Sequence, residues 1–382
     1  MGARASTGEP KAGGAGAPAS RRIAVNTGGG DAPGLNAVIR AVVLAASGRG
    51  WDVVGIENGY AGFLADAPGD IRPLTPAAVR GITHLGGTIL GSTNRGNPMD
   101  WPCELPDGRI ERRDRTGEIL EAFERLGLDA LVAIGGDGSL HIAADLAARG
   151  LPVVGVPKTI DNDLAATTLT FGFMTAVETA TDAIGRLHST AESHGRVFVV
   201  EVMGAGTGWI ALFSGVAATA DVILIPEIPY DIDRVCEKIL ERERSGKRFS
   251  MVCVAEGAVP IDGAITMKTV PAGRDRLRKI GGIGARVAQE IADRTGKETR
   301  SLVLGHLQRG GPPNAYDRLI ALRFGAAAVQ CVDDGQFGCM VALDPPHVRA
   351  VPLAEALSEI KAVPVDGDVV RTARALGTSF GD

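Results

Sequence analysis

Short apolar runs alternate with longer amphipathic segments along the chain, and most runs end in glycine, proline or aspartate. Uninterrupted apolar runs predict buried strands, and apolar residues spaced three or four apart predict helices. The predicted strands lie at 22–26, 52–56, 130–134, 153–157, 196–203, 221–226, 251–255, within 299–304 and at 339–343. The predicted helices lie at 35–44, after 139, and at 175–193, 280–295, 314–332, 352–361 and 368–377. This alternation predicts an α/β fold with a mostly parallel sheet and right-handed crossovers.

The chain has 382 residues, which is enough for two domains with sizeable cores. Its 52 glycines fall largely in short clusters between the apolar runs, where tight turns and phosphate-approaching loops need them. A net charge of −5 argues against a general nucleic-acid binder. We therefore expect any anionic ligand to be held by a local basic site.

Cysteine usage and hydropathy indicate a cytoplasmic protein. The five cysteines form no CxxC pair and no metal-ligand spacing with histidine, so we expect reduced thiols. No apolar run approaches the length of a membrane span, and no membrane partner is expected. Residues 1–20, rich in Ala, Gly, Ser and Pro, are predicted to form a disordered leader without a signal core.

The stretch Val153–Asp163 concentrates candidate chemistry. An apolar run stops at Pro157, and Lys158, Thr159, Asp161 and Asp163 follow within six residues. Ligands of open parallel sheets bind outside the carboxyl ends of the strands, which favours a functional site here. The alternative is a capped loop, in which Thr159 and the two carboxylates bond local backbone N–H groups.

Glycine-rich loops follow two other predicted strands. Residues 27–34, Thr-Gly-Gly-Gly-Asp-Ala-Pro-Gly, join a strand to a helix, an arrangement that points backbone N–H groups at a phosphate or serves as a plain connector. Residues 135–139, Gly-Gly-Asp-Gly-Ser, place Asp137 between glycines, which suits a magnesium–phosphate site, and Ser139 is a candidate helix N-cap. Arg95 lies in a third such loop, 86–96, where a solvated surface charge is the alternative.

Six motifs in order resemble the 6-phosphofructokinase family over roughly residues 22–382. They are Thr-Gly-Gly-Gly-Asp-Ala-Pro-Gly-Leu-Asn (27–36), Gly-Gly-Asp-Gly-Ser (135–139), Pro-Lys-Thr-Ile-Asp-Asn-Asp (157–163), Val-Glu-Val-Met-Gly (200–204), Ala-Glu-Gly (255–257) and Leu-Gly-His-Leu-Gln-Arg-Gly-Gly (304–311). Each motif alone is weak evidence, but six in family order are strong.

The resemblance implies two similar α/β domains and a reaction. Residues 21–172 with 308–358 would bind the phosphoryl donor, and residues 173–307 with 359–382 would bind fructose 6-phosphate. The chain would cross between the domains near 172, 307 and 358. The reaction it implies transfers a phosphoryl group to the 1-hydroxyl of the sugar with Mg²⁺, which requires positioning and charge neutralisation more than covalent catalysis.

The resemblance also implies roles for individual residues. Asp161 matches the general base, and Asp137 and Asp163 match the metal and charge-relay carboxylates, with Asp137 as the metal residue. Lys158 and Thr159 complete the catalytic set. The implied donor-binding set is Gly29, Gly30, Tyr60, Arg95, Gly136, Asp137, Gly138 and Ser139. Arg95 stands one residue later than the arginine of the common family pattern.

For the sugar, the implied contacts include a basic cradle around the 6-phosphate, because planar arginines suit a dianion. The implied substrate-binding set is Thr159, Asp161, Arg196, Met203, Gly204, Glu256, Arg300, His306 and Arg309. In the family, the positions of Arg196 and Arg300 reach in from a neighbouring subunit. A homodimer or homotetramer is therefore expected.

Four residues bear on the identity of the donor, and they favour different donors. Gly138 is typical of ATP-using members and leaves room for an inner phosphate, and Tyr60 could lie against adenosine. Lys158 is typical of pyrophosphate-using members, and Ala205 replaces an arginine that commonly follows Met-Gly. We predict ATP, with pyrophosphate as the alternative.

Three further alternatives from other classes stay open. They are a non-catalytic sugar-phosphate-binding paralogue, an enzyme acting on another sugar phosphate such as a seven-carbon one, and a nucleotide kinase. Retention of Asp137, Asp161 and Asp163 argues against the paralogue, and a nucleotide kinase would not need the basic set at 300–309.

Overall fold

A computed structural model describes residues 20–67, 69–93, 96–105, 107–272 and 275–382, with backbone alone over 268–272 and 275–279. Residues 1–19 of the predicted leader, and Arg95, lie outside the described residues. Among the described helices, none combines the length and the apolar composition that crossing a membrane requires.

The strands and helices alternate through most of the chain. The strands are β1 (Arg22–Thr27), β2 (Asp52–Ile56), β3 (Ile71–Pro73), β4 (Trp101–Glu104), β5 (Ile110–Arg113), β6 (Ala130–Gly135), β7 (Val153–Thr159), β8 (Phe171–Gly172), β9 (Val197–Val202), β10 (Val222–Leu224), β11 (Ser250–Ala255), β12 (Met267–Ala272), β13 (Asp275–Ile280), β14 (Thr299–Val303), β15 (Cys339–Asp344) and β16 (His347–Pro352). The helices are α1 (Leu35–Ser47), α2 (Thr116–Arg125), α3 (Asp137–Ala148), α4 (Phe173–His194), α5 (Trp209–Ala217), α6 (Ile232–Arg244), α7 (Ile283–Thr295), α8 (Ala315–Asp333), α9 (Leu353–Ala356) and α10 (Asp368–Ala375).

Two sheets organise these elements. The larger has the order β16-β15-β7-β6-β1-β2-β3, with β8 paired to β7, and only its edge strands β3 and β16 run antiparallel. The smaller has the order β10-β11-β9-β14 and is parallel throughout. The predicted α/β class with mostly parallel sheets is confirmed.

Helices cover both faces of each sheet. Helices α1 and α8 pack on one face of the larger sheet, and α2, α3 and α9 pack on the other. Helices α4, α5 and α10 cover one face of the smaller sheet, and α6 and α7 cover the other. Strands buried on both faces are mostly apolar, which is why β6 and residues 153–157 of β7 read as continuous apolar runs in the sequence.

Several local predictions were wrong. The helix predicted from 280 begins at Ile283, because Met267–Ala272 and Asp275–Ile280 pair as the antiparallel strands β12 and β13. The helix predicted over 352–361 covers only Leu353–Ala356 and follows the hairpin strand β16. The segments of β12, β13 and β16 contain no long apolar run, so the sequence pattern did not indicate strands there.

Two boundaries near the candidate site also differ from the prediction. Strand β7 does not stop at Pro157 but continues to Thr159, since β8 pairs with Lys158 and Thr159. Ser139 is not an N-cap: α3 begins at Asp137, with Gly136 in extended conformation before it. The domain division near 172, 307 and 358 stays a prediction.

Candidate active site

The carboxyl ends of β1, β6 and β7 are neighbours in the larger sheet, and a cavity of about 690 Å³ opens beside them. The glycine loop after β1, the start of α3 and the end of β7 form its walls. Its lining includes these predicted residues: Gly29, Gly30, Tyr60, Gly136, Asp137, Gly138, Ser139, Lys158, Thr159, Asp161, Asp163 and Arg309. We call this space the donor cavity.

Glycine is required in the loop after β1. A side chain at position 28 would lie 2.7 Å from the hydroxyl of Ser139, and Gly29 has a left-handed backbone with φ +79°. The N–H of Gly29 donates to the carbonyl oxygen of Thr93 at 2.9 Å. A phosphate contact through that N–H would therefore replace an existing hydrogen bond.

Lys158 is a buried cation in this cavity. Its side chain is 3% exposed, and its Nζ donates to the carbonyl oxygen of Gly30 at 2.6 Å. Burial and the nearby guanidinium of Arg309 lower the pKa of Lys158 to about 8, although the charge of Asp161 opposes this shift. The ammonium group is thus held between the end of β7 and the glycine loop, inside the cavity.

Asp161 and Asp163 flank Asn162, whose backbone is left-handed with φ +52°. Asp161 is 8% exposed, and burial together with the charge of Asp163 raises its pKa to about 6. Burial also raises the pKa of Asp163. The Oδ1 atoms of both carboxylates are buried and have no hydrogen-bond partner among the described residues. The capped-loop alternative accounts for Thr159, which accepts from the N–H of Asp161 at 3.1 Å, but not for these buried oxygens.

The carboxylates of Asp137 and Asp163 both line the donor cavity, and the charge of Asp137 contributes to the raised pKa of Asp163. Mg²⁺ prefers carboxylate oxygens, and sites of this kind use one or two carboxylates with phosphate oxygens and water. Among the residues described, no group of three or more metal-ligating side chains forms a complete protein cage. The buried, unpaired Oδ1 of Asp163 and the half-exposed Asp137 fit such an open site.

Tyr60 and one face of α3 also line the donor cavity. Tyr60 is buried, and burial raises its pKa despite a hydrogen bond with Asn26. A side chain added at Gly138 would meet no atom within 4 Å, so the cavity is open there. His141, which the sequence predicts to be a structural or surface residue, also lines the cavity, as does Asp145, which was not singled out. The four-residue spacing from Asp137 through His141 to Asp145 was a signal that could have identified them.

A second cavity of about 770 Å³ adjoins the first and shares Gly29, Gly30, Thr93 and Arg309 with it. The predicted sugar-binding residues Met203, Glu256, His306 and Arg309 all line it. Sequence reasoning missed the following lining residues: Asp31, Thr88, Ser92 and Ile280. We call this space the sugar cavity.

Two groups connect the walls of the sugar cavity. Arg309 reaches the glycine loop, where its Nη1 donates to the carbonyl oxygen of Asp31 at 3.0 Å. Glu256 accepts from the N–H of Ala205 at 3.1 Å, beside Gly204 with φ +149°. Gly204 itself does not line the cavity but gives the turn after β9 its shape.

Arg196 and Arg300 lie away from both cavities. Arg196 directly precedes β9 and Arg300 is near the start of β14, at the opposite strand ends from Met203 and His306. Both arginines pair with Glu298, Arg196 at 2.9 Å. Strand β14 is a sheet edge with exposed side chains from Arg300 to Val303. Within one chain, these arginines cannot contact a sugar phosphate held by His306 and Arg309.

A sequence model of the family described as phosphofructokinase matches residues 22–332. The chain belongs to the phosphofructokinase family. The resemblance inferred from the six motifs is therefore confirmed. Phosphofructokinases transfer phosphoryl groups, and the chain is accordingly an enzyme.

Relatives of this phosphofructokinase carry names with different donors. An ATP-dependent 6-phosphofructokinase of Chloroflexus aurantiacus is 52% identical over 95% of this chain and 98% of its own. A pyrophosphate–fructose 6-phosphate 1-phosphotransferase of Amycolatopsis methanolica is 51% identical over 90% of this chain and 96% of its own. The solved Pichia pastoris phosphofructokinase superposes with a TM-score of 0.76 at 30% identity, covering 98% of this chain and 38% of that chain.

Proposed function

We propose that this phosphofructokinase transfers the terminal phosphoryl group of ATP to the 1-hydroxyl of fructose 6-phosphate, giving fructose 1,6-bisphosphate in glycolysis. The observation that carries the proposal is the junction of the two cavities. They share Arg309 and the glycine loop, and Asp161 lines the donor side next to that junction. A donor and a sugar bound in the two cavities would meet there.

At the junction, each group has a role that its chemistry supports. Asp161, with a pKa of about 6, accepts the proton of the attacking 1-hydroxyl. The cations of Lys158 and Arg309 neutralise the charge that develops on the transferred phosphoryl oxygens. Thr159 and the loop at Gly30 border the same space.

Magnesium fits the donor side of this site. Asp137 and Asp163 are the residues that would hold Mg²⁺, which when bound supplies positive charge to the donor phosphates. The three alternatives of a non-catalytic paralogue, another sugar phosphate and a nucleotide kinase gain no support from the cavities. Asp137, Asp161 and Asp163 line the donor cavity, and Met203, Glu256, His306 and Arg309 line the sugar cavity.

ATP is the donor that the open side of the cavity favours. Position 138 is open, and Tyr60, His141 and Ile142 line the same cavity, so a nucleoside has a place to bind. Pyrophosphate is the second candidate, because the Lys158 ammonium already lies in the cavity and the Amycolatopsis relative is named for that donor. Ala205 also favours pyrophosphate, because the cation that an arginine would supply at this position is absent.

A donor comparison on purified protein tests the proposal. Fructose 6-phosphate and Mg²⁺ are supplied with ATP or with pyrophosphate, and kcat/KM is measured for each. We expect turnover with both substrates present and a preference for ATP. A preference for pyrophosphate would replace ATP with the second candidate, and no turnover with either donor would overturn the assignment to this reaction.

We further infer that the sugar site is completed between two subunits of a homodimer or homotetramer. Support comes from Arg196 and Arg300, which lie on or beside the exposed edge strand β14 and far along the strands from His306. A partner chain facing that edge would bring the two arginines to the 6-phosphate. All five cysteines are free thiols. The cytoplasm stays the predicted compartment.

A further inference from the structure

A lysine outside the six motifs lies directly behind the catalytic loop. Lys361 belongs to the segment between α9 and α10, and its backbone N–H donates to the carbonyl oxygen of Asp163 at 2.9 Å. It lines neither the donor cavity nor the sugar cavity. Any contribution of Lys361 to the reaction must therefore act through its neighbours.

The ammonium group of Lys361 has three oxygen acceptors. Its Nζ donates to Oδ1 of Asn162 at 3.0 Å, to the carbonyl oxygen of Thr167 at 2.8 Å and to that of Thr168 at 3.1 Å. An ammonium group has three donors, so all of them are used. This set of bonds fixes the group against the loop that joins β7 to β8.

A second attachment comes from the smaller sheet. The Nζ of Lys361 lies 5.6 Å from the ring centre of Trp209, and the indole Nε1 of Trp209 donates to the carbonyl oxygen of Lys361 at 2.7 Å. Trp209 is the first residue of α5. Lys361 is thus held from both sides, and its side chain has little freedom to leave the loop.

Asn162 is the residue through which this contact reaches the catalytic carboxylates. It is 1% exposed and has a left-handed backbone, a conformation that Asn adopts more readily than most residues because its short side chain can hydrogen-bond locally. Its Oδ1 accepts from the N–H of Thr170 at 3.1 Å as well as from Lys361. Because Asn162 stands between Asp161 and Asp163, its backbone conformation sets the direction of both carboxylates.

Lys361 and the cations of the two cavities lie on different sides of the loop. Lys158 and Arg309 are the cations inside the cavities, whereas Lys361 supplies a cation on the protein side of the loop.

We propose that Lys361 is a positioning residue for phosphoryl transfer, which holds Asn162 so that Asp161 and Asp163 face the junction of the two cavities. The inference rests on the proposed function. Loss of the ammonium group would let the loop relax, and a displacement of a reacting group by about 1 Å can cost about 100-fold in rate. Substrate contacts would be retained, because Lys361 touches neither cavity.

The test compares three substitutions with the native enzyme, whose turnover in the same assay tests the proposed function separately. Lys361→Met keeps length but removes donors and charge, Lys361→Gln keeps a donor without charge, and Lys361→Arg keeps both. We expect Lys361→Met to lower kcat about 100-fold while both KM values stay within about threefold. Lys361→Arg should recover most of kcat, and Lys361→Gln should fall between them.

Thermal unfolding and circular dichroism of each variant give the folded fraction, so kcat is expressed per folded molecule. Lys238→Met, which removes an ion-paired lysine from α6, is the matched control and should leave kcat unchanged. A kcat per folded molecule for Lys361→Met within threefold of native would overturn the proposal. A loss in kcat/KM that comes entirely from a higher KM, with kcat unchanged, would also overturn it.

A double-mutant cycle tests the route through Asn162. Asn162→Gly removes the side-chain acceptor but tolerates the left-handed backbone. If Lys361 acts through Asn162, the kcat of the double variant should lie within about threefold of the kcat of Lys361→Met alone. If the fold-loss in kcat of the double variant equals the product of the two single losses, the two residues act independently. That result would contradict an effect of Lys361 through Asn162.

Discussion

The ammonium group of Lys158 donates a 2.6 Å hydrogen bond to the carbonyl oxygen of Gly30, and so joins the end of β7 to the loop that follows β1. Gly138 lies elsewhere in the same cavity, at the start of α3, where a side chain would meet no atom. The two residues that indicate different donors therefore occupy separate places. A nucleoside beside Gly138 and a cation at Lys158 are compatible in one site.

The open space at Gly138 predicts the effect of a carboxylate there. Gly138→Asp should lower kcat/KM for ATP by about 100-fold, because a negative side chain would face the inner phosphate of the nucleotide. Turnover with pyrophosphate should fall much less. Steady-state kinetics with each donor at saturating fructose 6-phosphate measures both effects.

Gly138→Ala is the matched control for that substitution. Its methyl group meets no atom within 4 Å, and Gly138 has no left-handed backbone to strain. Alanine in a helix is more favourable than glycine by about 1 kcal/mol, so stability should not fall. If the alanine variant lost as much ATP activity as the aspartate variant, crowding rather than charge would be responsible.

Removal of the base predicts a loss of turnover without a loss of sugar binding. Asp161→Asn keeps the shape of the side chain but cannot accept a proton from the 1-hydroxyl. We expect kcat to fall by about 10²- to 10⁴-fold, the range of general-base catalysis. Fructose 6-phosphate should still bind, as measured by calorimetry. Turnover close to native would remove Asp161 as the base.

The same substitution should stabilise the free enzyme above pH 6. The pKa of Asp161 is raised from 3.8 to about 6 in the folded state. The stabilising contribution of its protonated form is therefore complete below pH 3.8 and is lost as pH rises through about 6. At pH 7.5, Asp161→Asn should gain on the order of 2–3 kcal/mol in the free energy of unfolding.

Urea unfolding at two pH values checks that prediction. At pH 4 the native carboxyl is largely protonated in the folded state, so the native enzyme and Asp161→Asn should differ little. At pH 7.5 the variant should require more urea. An equal difference at both pH values would mean that the asparagine acts through packing and not through the charge of residue 161.

The position of Arg300 on an edge strand predicts complementation between subunits. Arg300→Ala should raise the KM for fructose 6-phosphate by about 10- to 100-fold, because a charge-assisted hydrogen bond to phosphate is lost. The donor KM should change little. His306→Ala should have a similar effect on the sugar KM, since His306 lines the sugar cavity.

Mixed oligomers separate a shared site from a site within one chain. Coexpressed Arg300→Ala and His306→Ala subunits can assemble one native site, with His306 from one chain and Arg300 from the other. Part of the native sugar affinity should return in the purified mixture. If the mixture has no higher affinity for fructose 6-phosphate than either single variant, Arg300 does not contribute to the partner's sugar site.

Local sequence patterns were sufficient for the order of most strands and helices and for the placing of Asp137, Lys158 and Asp161 near strand ends. Buried parallel strands need continuous apolar runs, and these are visible without any partner. The hairpin β4–β5 was missed because its strands carry no such run and the side chains of β5 are exposed. The hairpin β12–β13 was missed because its sequence, with charged residues such as Lys268 and Arg276, carries no such run either. His141 was predicted to be a structural or surface residue and Asp145 was not singled out, because both lie beyond the Gly-Gly-Asp-Gly-Ser motif.

The sequence by itself determined which chemical groups the site has, since the motifs contain its carboxylates, its cations and its glycines. Only the tertiary structure decided which of them meet. Lys158 contacts Gly30 across 128 positions, Arg309 contacts Asp31 across 278, and Lys361 contacts Asn162 across 199. These contacts and the burial that shifts the pKa of Asp161 depend on how β1, β6 and β7 pack beside one another. No periodicity within a single segment carries that information, because the packing joins segments that are far apart in the chain.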